Sequence, residues 1–286
     1  MPLLIVVTVL WAFSFSLIGE FLSGQVDNYF AVLTRIALAA LLFLPFLALR
    51  GLPARQRLAL MGLGAVQLGL MYVFFYQSFV LLSVPEVLLF TIFTPVYVAL
   101  LDDLVERRLS PAHLVAAGLA VAGAAVIRFQ PPSEFWLGFM VVQGANLCFA
   151  AGQVGYRHLG PHLPSGLPAR STFGWFYLGA LAVAVVAFAF FGDRQALPTT
   201  SVQWSVLAWL GLVASGLGYF LWNLGATRVD AGTLAVMNNA LIPAGLVVNV
   251  VIWNRDADLV RLALGGAILL LALVVGLRFG GGARRA

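Results

Sequence analysis

The stretch VMNNALIPAG, residues 236–245, sets two adjacent amides, Asn238 and Asn239, just ahead of a proline in a run otherwise suited to lipid. A proline inside a helix has no N–H to donate and crowds the carbonyl four residues back, so the carbonyl of Asn239 needs another partner. Hydrocarbon offers none, and the segment must therefore face protein or water. Shifted by 148 positions, NNALIPAGLVVN (238–249) overlies FTIFTPVYVALL (90–101), with Pro243 on Pro95 and, further on, Gly266 on Gly118. The same interruption recurs in the earlier copy, where it frees the carbonyl of Thr91. A second match, at a shift of 136, lays Phe149 on Phe13 and Gly155 on Gly19.

Working outward, the 286 residues are 62% hydrophobic and 9% charged, with mean hydropathy +1.00, outside the range of soluble globular chains. Apolar segments fall at approximately 3–22, 29–49, 58–80, 85–101, 112–130, 135–156, 171–192, 203–226, 231–253 and 259–279, most of them close to the ~20 residues that span a bilayer core. The reading is an all-α polytopic membrane protein with ten transmembrane helices. Residues 1–130 form a first five-helix repeat and 131–286 a second. Because five is odd, the second repeat enters the membrane from the opposite side, and inverted repeats are the usual basis of alternating access around a site near the midplane.

The sixteen basic residues are all arginine and are scattered through the turns between spans and the span ends, with no stripe that would bind nucleic acid. Arg35, Arg128, Arg194, Arg255 and Arg261 fall on one side of the ten-span layout and the other eleven on the opposite side, which puts both termini in the cytoplasm of a multi-pass inner-membrane protein. The first segment reads as a retained span, not a cleaved signal. The longest connection, RHLGPHLPSGLPAR (157–170), is too short for an extramembrane domain. Cys148 stands alone and forms no intrachain disulfide.

Polar and aromatic side chains recur at helical spacing on several spans. Asn238, Ile242, Gly245 and Asn249 make one stripe, with Phe90, Thr94, Tyr97 and Leu101 as its counterpart. The sixth span offers Gln143, Asn146, Ala150 and Gln153; the third Tyr72, Phe75, Tyr76 and Phe79; the eighth Tyr219, Trp222 and Asn223; the first Trp11 and Ser14. From these the candidate substrate-binding residues are Trp11, Ser14, Tyr72, Tyr76, Phe90, Thr91, Thr94, Tyr97, Asn146, Gln153, Tyr219, Asn223, Asn238 and Asn239. The mixture of rings and neutral hydrogen-bonding groups suits a small-molecule cavity. Each residue also has a structural reading, as a kink, a packing ring or an amide that bonds helix to helix.

Ser83 and Glu86 form a capping box, Asp230 caps the ninth span, and Glu20 pairs with Arg35 near the external ends of spans one and two. No Asp or Glu lies at the middle of a span, which predicts passive facilitated movement without a proton relay. HExxH, GxSxG and Walker motifs are absent, and Gly160 and Pro161 between His158 and His162 spoil a metal-binding helix face. The chain reads as a transporter with no cofactor and no metal. A broad drug or organic-cation exporter, and a non-transporting membrane enzyme or assembly factor, are the alternatives.

The segment ERRLSPAHLVAAGLAVAGAAVI from 106, with Glu106, Leu109, Ser110, Gly118 and Gly123, resembles the EamA-type proteins of the drug/metabolite transporter superfamily. The second half departs from the pattern, with Asn254 where the glutamate would fall. Within that superfamily the chain looks like the YddG-type amino-acid exporters. That resemblance implies a central cavity lined by spans one, three, four, six, eight and nine, and export of neutral, aromatic and other, amino acids or related metabolites. A chamber without mid-membrane arginines, apart from Arg35 near one end, is expected to take strong anions poorly.

Overall fold

The computed structural model describes residues 2–105, 107, 115, 118–119, 122, 132–229, 237–238, 240–242, 244–245, 248–253 and 259–280. Among them there is no strand. The chain forms α1 (Pro2–Phe21), α2 (Asn28–Phe43), α3 (Ala54–Leu81), α4 (Val84–Val105), α5 (Pro132–Leu159), α6 (Ala169–Phe191), α7 (Ser201–Ala226) and α8 (Leu259–Gly280). The first seven are long and apolar enough to cross a bilayer, and α8 coincides with the expected tenth span. Most of the fifth span, Asp230, Asn239 and Pro243 lie outside the described residues.

Local sequence sets the helix starts. Asp27 accepts the amide of Phe30 at 2.7 Å to open α2, and Thr200 accepts that of Gln203 at 3.2 Å to open α7. The capping box at α4 is present, with the Ser83 amide donating to Glu86 Oε2 at 2.9 Å. Beyond the capped ends, the Pro95 interruption is handled differently from the expectation. The backbone tightens to a 3₁₀ turn over Thr91–Phe93, and the Thr94 amide bonds the Thr91 carbonyl, so that carbonyl is not free. The carbonyl that needs outside help is that of Phe90, which accepts from Asn146 Nδ2 of α5 at 2.8 Å.

Two helices contain wide π turns: α3 over Ala65–Leu70 and α7 over Leu210–Leu217. The sequences around them match at a shift of 147. LGAVQLGLMY (63–72) and LGLVASGLGY (210–219) share six of ten residues, including Gly64/Gly211, Gly69/Gly216 and Tyr72/Tyr219. Packing follows the match. A Cβ at Gly64 would fall on the Phe176 carbonyl of α6 and one at Gly69 on Val183; a Cβ at Gly211 would meet Leu38 and the Arg35 carbonyl of α2, and one at Gly216 would meet Leu42. Only glycine lets the backbones approach this closely.

Accordingly α3 runs along α6 while α7 runs along α2, α2 and α6 pack on each other, α5 lies against α3, and α1 against α7. Exchanging α1 with α5, α2 with α6 and α3 with α7 maps these contacts onto themselves. The buried core is continuous through the bundle, and the apolar side chains left exposed, such as Val9, Val186 and Phe190, are those a lipid environment would cover.

Candidate functional site

A π turn leaves carbonyls without their usual i+4 donors, and in hydrocarbon these must be met by side chains. In α7, Trp11 Nε1 donates to the Ala214 carbonyl at 2.8 Å, and Tyr177 Oη lies 2.7 Å from the carbonyls of both Ser215 and Gly216, sharing one proton between them. This fixes the turn and aims the Ser215 hydroxyl inward, where it meets Tyr72 Oη at 2.9 Å and accepts from Arg35 Nε. The Tyr72 ring in turn lies edge-on to that of its repeat mate Tyr219, centroids 5.7 Å apart.

The side chains so placed enclose a chamber between the helices. Its volume is about 80 Å³. One wall is aromatic: Trp11 packs on Tyr219 and Trp222 at 4.8 and 4.9 Å between centroids, Phe149 on Tyr219 at 5.8 Å, and Phe15 on Phe75 at 5.1 Å. The rest of the lining includes polar groups. Thr94 donates to Asn146 Oδ1 at 3.2 Å, and Asn146 Nδ2 also reaches Gln143 Oε1 at 3.1 Å. Two buried groups in the lining residues, Ser14 Oγ and Trp222 Nε1, have no hydrogen-bond partner among the described residues. A buried polar atom of this kind is costly unless something arrives to bond it.

Of the residues expected from sequence, Trp11, Ser14, Tyr72, Thr91, Thr94, Asn146, Tyr219 and Asn238 line the chamber. Five stand behind it. Tyr76 accepts from Arg35 Nη1 at 3.3 Å; Phe90 offers its carbonyl to Asn146; Tyr97 donates to Gln143 at 3.2 Å; Gln153 donates to Asn238 at 3.3 Å; Asn223 accepts from Gln67 at 3.4 Å. Asn239 lies outside the described residues.

The largest departure is Arg35. Its expected pairing with Glu20 does not occur. The guanidinium is 2% exposed, lines the chamber, and bonds Ser215 and Tyr76 while lying 4.3 Å from the centre of the Tyr72 ring. The expectation that Arg35 sits near one end, paired with an acid, is corrected by this position in the chamber wall. Phe15, Met71 and Phe149 also line it and were not among the sequence candidates. At the far end of α4, Asp102 meets His158 of α5 at 3.1 Å, joining the two halves near one end of the bundle.

A model of the EamA-like transporter family matches residues 1–129. The probable biotin transporter of Pseudomonas aeruginosa is 57% identical over 276 residues, covering 96% of both chains. The biotin transporter of Escherichia coli K12 is 49% identical over 277 residues, covering 96% of this chain and 92% of that one. A solved crystal structure superposes at a TM-score of 0.68 with 19% identity, covering 96% of this chain and 95% of that one, a likeness of fold alone.

Proposed function

The chain belongs to the EamA-like transporter family, and from that premise we propose that it carries biotin across the membrane through the chamber described above. It is a multi-pass membrane transporter and not an enzyme, as are the relatives that match it end to end. Biotin joins a fused bicycle, whose ureido edge presents two N–H donors and a carbonyl, to an apolar chain ending in a carboxylate. The aromatic wall offers the bicycle a face to pack on. Ser14 Oγ, Trp222 Nε1 and the amides of Asn146 and Asn238 supply donors and acceptors of the kind a ureido group needs. The observation that carries the reading is this pairing of an aromatic slot with unpartnered buried polar atoms, in a chain close to half identical or better to proteins named for biotin.

Residues 1–130 and 131–286 would act as the two rocking halves, with Trp11, Ser14, Tyr72, Thr91, Thr94, Asn146, Tyr219 and Asn238 in contact with substrate. Tyr76, Phe90, Tyr97, Gln153 and Asn223 would hold those residues in place. Movement is facilitated and follows the gradient, in an inner membrane with both termini in the cytoplasm. Neutral amino-acid export, the expectation from sequence, has weaker support, because a free amino acid needs a partner for its ammonium and the charged lining residue is a cation. That same cation opposes an organic-cation exporter.

Counterflow of labelled biotin into liposomes holding the purified protein tests this, with phenylalanine, methionine and threonine as competitors. Saturable biotin exchange that none of the three displaces is the expected result. Exchange of phenylalanine without biotin would restore the amino-acid reading.

A further inference from the structure

We propose that Arg35 is the specificity-determining residue that selects substrates by a terminal carboxylate, so that the chamber takes small organic monoanions with an apolar body and rejects their neutral amides and esters. The proposal rests on the biotin reading for its choice of probe, and otherwise on the position of one side chain.

Burying a guanidinium is expensive unless a counter-charge or a full set of hydrogen bonds offsets it. Arg35 lies seven residues into α2, is 2% exposed, and has no carboxylate in reach among the described residues. Its Nε donates to the Ser215 hydroxyl and its Nη1 to the Tyr76 hydroxyl at 3.3 Å; Nη2 has no hydrogen-bond partner among the described residues. The planar face rests on Tyr72, with Tyr76 at 5.9 Å. Hydroxyls and ring faces hold the cation and orient it, but they do not neutralise it. Arg35 lines the chamber with Nη2 and the second N–H of Nη1 still to be bonded, and a planar guanidinium matches a carboxylate in two parallel bonds.

The internal repeat argues that packing alone does not require this charge. Gly64 and Gly69 of α3 close on Phe176, Ala180 and Val183 of α6, while Gly211 and Gly216 of α7 close on Arg35, Ala39 and Leu42 of α2. At the resulting shift of 141, Arg35 occupies the place that Phe176 fills in the other half. Phe176 is fully buried and apolar, so the frame accommodates a hydrocarbon ring at that position. A cation there has a different use. Ser14 and Trp222, whose side-chain donors have no partner among the described residues, line the same chamber as Arg35, which suits a ligand that carries a polar edge and a carboxylate.

The test is equilibrium binding to purified protein, comparing biotin with biotinamide and biotin methyl ester. Wild type should bind the acid about 10- to 100-fold more tightly than either neutral form, the range expected when a hydrogen bond to a charged group is lost. Arg35→Gln should bring biotin down to the affinity of the amide while leaving the amide within about threefold of its wild-type value, a split that a merely structural defect does not produce. Arg35→Lys should recover part of the preference. Equal binding of acid and amide by wild type overturns the proposal and leaves the biotin reading standing. Should wild type bind neither, the biotin reading fails, and the same comparison between phenylalanine and its amide decides the role of Arg35. If Arg35→Gln does not fold, the wild-type comparison and the lysine variant still decide it.

Discussion

Replacing Asn146 with leucine keeps the volume and removes every polar contact that joins α5 to the break in α4. Asn146 makes two bonds to the residues that flank the break, from its Nδ2 to the Phe90 carbonyl at 2.8 Å and from Thr94 Oγ1 to its Oδ1 at 3.2 Å. Hydrogen bonds between membrane helices average about 0.6 kcal/mol with a maximum near about 1.7, so their loss should cost about 1–3 kcal/mol. For a chain of this size about 2 °C of melting temperature corresponds to 1 kcal/mol, which places the expected drop at about 2–6 °C. Melting in detergent is irreversible for many membrane proteins, so the comparison belongs at one scan rate. Thr94→Val removes the longer bond alone and should cost less than half as much. Because that bond is already gone in the leucine variant, the double variant should melt within about 1 °C of Asn146→Leu. Additive losses in the double variant, or an unchanged melting point for Asn146→Leu, would show that Asn146 does not brace the interruption.

Gly64→Ala places a Cβ against the Phe176 carbonyl and should abolish or sharply reduce monodisperse protein on size exclusion, whereas Gly62→Ala, with nothing within 4 Å, should be silent. Trp11→Phe keeps the ring in the wall but removes the donor to the Ala214 carbonyl; it should lower stability by about 1 kcal/mol while changing biotin affinity less than about threefold. With no acid at mid-span, the biotin anion should move without a proton: a potential of 100 mV, inside positive, should raise its accumulation in liposomes roughly 50-fold, and a pH gradient alone should leave it unchanged. Accumulation that follows the pH gradient and ignores the potential would mean a proton is coupled.

The spans and much of the chamber wall could be read from the sequence because both follow from periodicity. Trp11, Ser14, Tyr72, Thr94, Asn146 and Tyr219 fall on polar or aromatic faces of otherwise apolar helices, and hydrocarbon leaves such faces no other place to go. The π turns were harder to see. They depend on donors from other helices, Trp11 and Tyr177, and on glycine contacts that no local propensity records. Their trace was nonetheless present in LGAVQLGLMY and LGLVASGLGY, a better internal match than the one around the two prolines. Arg35 has the look of a charge near a helix end in the sequence, although at 1.5 Å per residue the seven residues from Asn28 already carry it about 10 Å into the helix.

The proposed carrier needs inward- and outward-facing states within a few kcal/mol of each other, since a larger gap would leave one state too rare to complete a cycle. A frame that repeats itself supplies this: α3 on α6 and α7 on α2 use the same glycines and the same wide turns, so either rocking motion trades one set of contacts for its equivalent. A ligand such as biotin has no such symmetry. What recognises it must therefore reside where the halves differ while their backbones agree, at Arg35 against Phe176 and at Tyr76 against Asn223, with the shared pair Tyr72 and Tyr219 forming the wall between. On this argument a change at a matched position should chiefly alter stability and turnover, and a change at an unmatched one should chiefly alter which molecule is carried.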